Sequence, residues 1–262
     1  MGEFKHKHSL GQNFLKDTRV LGSIIDSTDV KEDDLVIEIG PGQGALTKFL
    51  KLYKANLICF EIDKRVENYL KKFVDDKTKI VYKDFMDVDV SKELEGIKFN
   101  NLYVIANLPY YITTPILKKI IDSKLDVKEM TLMVQNEVAD RFSAKPGSRD
   151  YGAVTVYLNY YYNIEKLLFV SRKCFDPAPN VDSAVIKLVK NTSKIQVIDE
   201  GLFNKLVVDS FHMKRKTINN NLKGYNLEIV KKVLEKYNLD LTCRAENIPL
   251  DCFIDMSNEL SK

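Results

Sequence analysis

Four short groups of residues have types and spacings that could do chemistry together. The first, Glu38-Ile39-Gly40-Pro41-Gly42-Gln43-Gly44, follows a short apolar run and opens a helical one. Three glycines at alternate positions let the backbone turn tightly and bring a ligand against main-chain amides. The spacing is not Gly-x-Gly-x-x-Gly, and Pro41 removes a donor that a pyrophosphate would use, so the turn leans away from a dinucleotide. The second group is Glu61, placed about 20 residues after the first glycine, where a carboxylate can accept from both hydroxyls of a ribose. The third, Asp84-Phe85, offers a carboxylate for the amino group of an adenine and a ring beside it. Each acid alone reads as a strand-end turn residue or a helix cap. Together, at the carboxyl ends of successive strands, they outline one crevice.

The fourth group is Asn107-Leu108-Pro109-Tyr110. Pro109 restrains its own backbone and that of Leu108, which stiffens the loop. Such a loop suits the exocyclic amine of adenine, a poor nucleophile because its lone pair is delocalised into the ring. The Asn107 side-chain oxygen and the Leu108 carbonyl can hold the two N–H groups and aim the lone pair. Tyr110 offers a stacking face worth about 1–3 kcal/mol. Displacement at a sulfonium methyl then needs positioning and electrostatic support, with no metal and no covalent nucleophile. The expected cofactor is S-adenosylmethionine. Taken alone, the tetrapeptide reads equally as a proline turn with a core tyrosine. Phe175, which leads Phe175-Asp176-Pro177-Ala178-Pro179-Asn180-Val181-Asp182-Ser183, could form the other wall of a base pocket. Composition alone supports a core residue at a hairpin at least as well.

The elements that must position these groups are short. Asp17 can cap a helix with the apolar face Val20, Leu21, Ile24 and Ile25. Strands are expected over 34–39, 56–61, 79–82, 102–106 and 129–134, and helices over 45–53, 64–73 and 114–121. This alternation argues for βαβ units and a parallel sheet. The stretch from Ser143 to Gly152 is a loop by composition. Late strands are expected over 166–170 and 184–189. From Leu202 onward the apolar spacing is helical, which places a domain boundary within 190–198: a first domain over 1–192 and a helical one over 193–262.

The chain has 262 residues, enough for one large domain with a small one, and 45% of them are hydrophobic, enough for a core. No apolar run approaches the roughly 18–20 residues that cross a bilayer. The first residues carry charge with no hydrophobic segment behind it, so no secretory signal is read there. Cys59, Cys174, Cys243 and Cys252 form no Cys-x-x-Cys pair, and His6, His8 and His212 do not cluster with them. No metal site is expected. Scattered cysteines of this kind act as small hydrophobes in a reducing compartment, here the cytosol. The net charge is only +3, so any nucleic-acid contact must rest on local patches. Candidates are Lys5, Lys7, Lys16 and Arg19 near the N-terminus, and Lys214-Arg215-Lys216 on a predicted helix.

These residues carry a resemblance. The sequence resembles the ribosomal RNA adenine N6-dimethyltransferase family, in its small-subunit (16S) branch. The match runs through Ser9–Leu15, Glu38–Thr47, Asn107–Leu117, Gln135–Gly152, Phe175–Ile186, Lys214–Leu222 and Arg244–Phe253. It implies an α/β fold: a Rossmann-like class I methyltransferase sheet, mostly parallel with the last strand antiparallel, and a small C-terminal all-helical domain. It implies that Asn13 and Leu15 close over the cofactor. Gly40 and Gly42 would touch it through the glycine turn, Glu61 would bind its ribose, and Asp84 and Phe85 its adenine. Asn107 would lie where cofactor and target amine meet, with Leu108 as the second acceptor and Tyr110 and Phe175 flanking the base. The implied reaction puts two methyl groups on each of two adjacent adenines near the 3′ end of small-subunit ribosomal RNA. The implied partner is the immature small subunit, met in the cytoplasm by a monomer, and loss of such activity accompanies kasugamycin resistance. Where the family commonly has basic residues, this chain has Ala178 and Asn180, and Lys214 stands for an arginine. Each lost phosphate contact would lower the salt slope of RNA binding by about one. Three other functions fit parts of the pattern: a DNA adenine methyltransferase, a nicotinamide-dependent oxidoreductase using Glu61, and a non-catalytic assembly factor that binds RNA.

Overall fold

The computed structural model describes residues 13–192 and 195–262, so Lys5, His6, Lys7, His8 and Ser9–Gln12 lie outside the described residues. Unbroken apolar runs such as Leu35-Val36-Ile37 form strands covered on both faces. In chain order the elements of the first part are β1 (Phe14–Leu15), α1 (Thr18–Asp26), β2 (Leu35–Ile39), α2 (Ala45–Leu50), β3 (Asn56–Phe60), α3 (Glu67–Leu70), β4 (Thr78–Val81), α4 (Val90–Glu93), β5 (Leu102–Asn107), α5 (Thr113–Asp122) and β6 (Val127–Gln135). There follow α6 (Asn136–Phe142), α7 (Ala153–Tyr161), β7 (Tyr162–Val170), β8 (Phe175–Asp176) and β9 (Ser183–Lys190). The helices α8 (Glu200–Ser210), α9 (Ile218–Asn221), α10 (Leu227–Lys236) and α11 (Leu250–Leu260) complete the chain.

Seven strands make one sheet in the order β4-β3-β2-β5-β6-β9-β7. The pairs β3/β4, β2/β3, β2/β5 and β5/β6 are parallel, and β9 runs antiparallel to β6. The strand order reverses between β2 and β5, so a crevice opens beyond their carboxyl ends. A separate two-residue ladder joins β1 to β8, with Leu15 opposite Phe175. One face of the sheet buries Val36, Leu57, Tyr103, Ile105 and Met133 against Leu21, Ile24, Leu46 and Leu50 of α1 and α2.

The chain divides into two compact units. One holds the described residues up to Ala139 together with Glu165–Val189; the other holds Asp140–Ile164 and Lys190–Lys262. Residues 140–164, which the sequence pattern assigns to the first domain, therefore group with the C-terminal helices. Their helix α7 is unannounced in the sequence. Ala-Val-Thr-Val-Tyr-Leu-Asn-Tyr-Tyr is rich in β-branched and aromatic residues, which favour strands. Packing overrides that preference: Tyr160 is buried against Phe203 at 5.0 Å between ring centroids, and the Gly152 N–H donates to Thr155 Oγ1 at 3.2 Å at the helix start. Around Tyr160 lie Leu206, Val207, Val230, Val233 and Phe253, the core of the second unit. The expected helix over 64–73 is α-helical only at α3, with 3-10 turns on either side. Among the described residues no helix is long and apolar enough to cross a membrane.

Candidate active site

The carboxyl ends of β2, β3, β4 and β5 converge on one pocket. Its lining includes Asn13, Phe14, Leu15, Glu38, Gly40, Gly42, Glu61, Asp84, Phe85, Asn107, Leu108 and Tyr110. The glycine turn, both acids and the Asn107 loop therefore meet as the spacing suggested. Of the expected site residues, Phe175 alone is absent from the lining. It is buried in the first unit's core and held in the β1–β8 ladder, the hairpin-core placement that composition supported equally.

The turn works differently from the expectation that its amides face a ligand. Gly40, Gly42 and Gly44 all have positive φ, which only glycine adopts cheaply. Their N–H groups are used internally. Gly40 donates to the Phe60 carbonyl at 2.9 Å, Gly42 to Glu61 Oε2 at 2.9 Å, and Gly44 to the Pro41 carbonyl at 2.9 Å. A pyrophosphate needs such amides free, so the arrangement disfavours the dinucleotide reading. What Gly42 and Gly44 provide is space. A Cβ on Gly42 would stand 2.5 Å from the Phe14 ring, and one on Gly44 would stand 2.4 Å from the Phe73 ring.

Glu61 is nearly fully buried at the end of β3. Its two oxygens accept from the Gly42 N–H and, at 2.8 Å, from the Asp63 N–H. Burial pushes its carboxyl above the usual carboxylate range, while those two amide bonds pull it back toward ionisation. Each oxygen keeps further lone-pair capacity, so the fixed carboxylate suits a pair of vicinal hydroxyls. Asp84 caps the turn that follows β4, accepting from the Met86 N–H at 2.8 Å, and also lines the pocket. Asp84 is thus a turn cap and a pocket-lining residue at once. Phe85 is buried edge-on against Phe60, with 5.3 Å between centroids.

The Asn107–Ile112 loop is anchored at both ends. The Leu108 N–H donates to the Met133 carbonyl at 3.1 Å, and the Ile112 N–H to the Pro109 carbonyl at 3.2 Å. The Asn107 side-chain Nδ2 donates to the Asn13 carbonyl at 3.3 Å, which leaves Oδ1 as the amide's acceptor. Tyr110 is half-buried, and its hydroxyl lies 2.7 Å from Ser183 Oγ at the start of β9. Burial raises the Tyr110 phenol, which keeps it protonated.

Sequence reasoning missed Glu38 as more than the edge of a motif. It is a buried carboxyl in the middle of an apolar strand, a pattern that could have flagged it. Thr47 Oγ1 donates to Glu38 Oε2 at 2.7 Å, tying β2 to α2 beneath the turn. Desolvation pushes the Glu38 carboxyl up to about 7, and the nearby Glu61 charge adds to that. Phe14, Tyr111 and Ser183 were likewise not singled out. Two of the N-terminal cations are engaged with acids: Lys16 with Asp176, and Arg19 with Asp17 at 2.8 Å. In the second unit Lys214–Lys216 lie in a turn and not on the predicted helix. The Asn221 side chain accepts from the Met213 N–H at 3.1 Å and donates to the Ser210 carbonyl at 2.7 Å, which stops α8. Lys214 and Lys216 line a small hollow there with Arg149 and Glu246. Among the described residues no group of three His, Cys, Asp or Glu side chains could hold a metal ion.

Comparison with known proteins gives the same direction. The profile of the family described as Ribosomal RNA adenine dimethylase matches residues 3–262. The chain belongs to the ribosomal RNA adenine dimethylase family. Ribosomal RNA small subunit methyltransferase A of Geobacillus kaustophilus is 41% identical to it, covering 98% of this chain and 92% of the relative. The protein of the same name from Alkaliphilus oremlandii is 40% identical, covering 99% and 93%. Among solved structures, a dimethyladenosine transferase from Plasmodium falciparum superposes with a TM-score of 0.75 at 27% identity, over 92% of this chain and 95% of that one. The 23S rRNA methyltransferase ErmE shares the fold, with a TM-score of 0.72 at 22% identity over 95% and 100% of the two chains. This member of the dimethylase family is thus a methyltransferase with a Rossmann-like, mostly parallel sheet whose last strand is antiparallel.

Proposed function

We propose that this protein dimethylates N6 of two adjacent adenines near the 3′ end of small-subunit ribosomal RNA, acting as a monomer in the cytoplasm on the assembling subunit. Ribosomal RNA is the substrate class and S-adenosylmethionine the methyl donor. The observation that carries the reading is the pocket itself: one crevice holds two carboxylates at strand ends and, facing them, the stiff Asn107–Tyr110 loop. The curated relatives at about 40% identity favour the small-subunit target.

The residues present fit the donor. Glu61 is a buried, oriented carboxylate for the ribose hydroxyls, and Asp84 with the Phe85 edge suits an adenine. Asn13 and Leu15 line the same pocket as Gly40 and Gly42, with the Phe14 ring against Gly42. Bound S-adenosylmethionine supplies a methyl group on a positive sulfonium. Asn107 Oδ1 and the Leu108 carbonyl accept the two N–H groups of the target amine and turn its lone pair toward that methyl. The Asn13 carbonyl, by taking the Asn107 N–H, keeps Oδ1 turned to accept. Tyr110, held by Ser183, stacks on the base. As the N–C bond forms and the donor's S–C bond breaks to leave a neutral thioether, positive charge would build on nitrogen. The two oxygen acceptors would stabilise it in the first transfer and one of them in the second, and each time one N–H proton would pass to solvent water.

Phe175 is given no role in this mechanism, since, unlike its ladder partner Leu15, it does not line the pocket. RNA contact by Lys214–Lys216 is part of the proposal. The test is turnover by Asn107→Ala on unmethylated small-subunit particles: a loss of at least a hundredfold with cofactor binding retained is expected, and normal turnover would remove Asn107 from the mechanism.

A further inference from the structure

The residue after the target loop's tyrosine has no assigned work. Tyr111 is 63% exposed, yet it lines the same pocket as Tyr110. An exposed aromatic ring is unremarkable on an arbitrary surface. Here it sits at the mouth of a crevice, on backbone that cannot readily move. Pro109 restrains the chain before it, the Ile112 N–H closes the turn on the Pro109 carbonyl, and the Tyr110 hydroxyl is bonded to Ser183. Residues 110–112 form a 3-10 turn. With about three residues per turn, neighbouring side chains project about 120° apart. Tyr110 and Tyr111 therefore cannot grip the two faces of one base.

We propose that Tyr111 is a second stacking subsite, for the nucleobase next to the target adenine along the RNA strand. The inference rests on the reading of the pocket as a site for ribosomal RNA adenine. Withdrawing one base from a stacked strand also uncovers the face of its neighbour. An aromatic platform on this anchored backbone, one residue beyond Tyr110, recovers that lost stacking and fixes the strand's direction past the pocket. Because every base has such a face, the subsite recognises position more than sequence.

The experiment compares wild-type protein, Tyr111→Ala and Tyr111→Phe on unmethylated small-subunit particles, with S-adenosylmethionine affinity measured by calorimetry. A matched particle keeps both target adenines and lacks the bases flanking the pair, and methylation is read at the adenine beside the gap. Tyr111→Ala should lose roughly 5- to 150-fold in kcat/KM for the particle, the range spanned by base–aromatic stacking. Its cofactor Kd should stay within about twofold of wild type, and Tyr111→Phe should retain activity because the ring does the work. The abasic particle should cost the wild type a similar factor and cost Tyr111→Ala little more. The inference is overturned if Tyr111→Ala matches an active wild type, if Tyr111→Phe is as impaired as Tyr111→Ala, or if the abasic loss is equal in both proteins. A wild type that methylates neither particle overturns the functional reading itself, and this inference with it.

Discussion

The bond between Tyr110 and Ser183 makes a quantitative demand. Ser183 has no exposed surface, lies opposite Gln135 at the start of β9, and reaches the half-buried Tyr110 hydroxyl at 2.7 Å. Ser183→Ala removes one partner and leaves the phenol unsatisfied. Such a bond contributes about 1 kcal/mol net, which is about a fivefold change in the population of the held ring. The melting temperature should fall by about 2–4 °C for a protein of this size. If the ring's position matters to the target base, kcat/KM for subunit particles should fall roughly fivefold, while S-adenosylmethionine affinity is unchanged. Tyr110→Phe removes the other half of the same bond and should cost about as much. The double variant should then be no worse than the poorer single one, giving a coupling energy of about 1 kcal/mol. Fully additive losses in kcat/KM would show that Ser183 acts through the core alone and would refute the positioning argument.

Three further outcomes follow from the same geometry. The Glu38 carboxyl is raised to about 7, above its unfolded value, so its protonated form favours the fold; that contribution is complete below about pH 4.5 and is lost as pH rises through about 7. Glu38→Gln should therefore melt higher than wild type at pH 8 and gain little at pH 5, and a pH-independent difference would contradict burial as the cause. Gly44→Ala must hold φ near +85° and displace the Phe73 ring, costing about 1–2 kcal/mol for the backbone and about 1–3 kcal/mol for repacking, read by denaturant unfolding; an unchanged midpoint would contradict this. Glu61→Gln replaces one of two amide-accepting oxygens by a donor and should weaken cofactor binding by about tenfold or more in calorimetry. Unaltered affinity would remove Glu61 from the cofactor site.

The parts of the site readable from sequence were those set by local backbone rules. Alternate glycines after an apolar strand, a proline-stiffened loop after β5, and acids at strand ends all announce where a parallel sheet opens. What was not readable depends on distant partners. Phe175 sits on a loop that composition makes rigid, but only its pairing with Leu15 decides that it is core. Helix α7 exists because Tyr160 finds Phe203 and because Gly152 bonds to Thr155, and its own β-branched residues argue against it. Lys214–Lys216 leave the helix because Asn221 takes the backbone groups of Ser210 and Met213 from several residues away. The amides of the glycine turn were expected to face a ligand, and the strand end at Phe60, Glu61 and Pro41 capture them instead.

The proposed reaction is methyl transfer to adenine N6 in small-subunit ribosomal RNA. Its most direct test is incubation of the purified protein with labelled S-adenosylmethionine and unmethylated small-subunit particles, followed by digestion of the RNA and mass spectrometry of its nucleosides. The expected product is N6,N6-dimethyladenosine at two adjacent positions near the 3′ end, with large-subunit particles left unlabelled. Label on another base, or on large-subunit RNA alone, or no transfer at all, would contradict it.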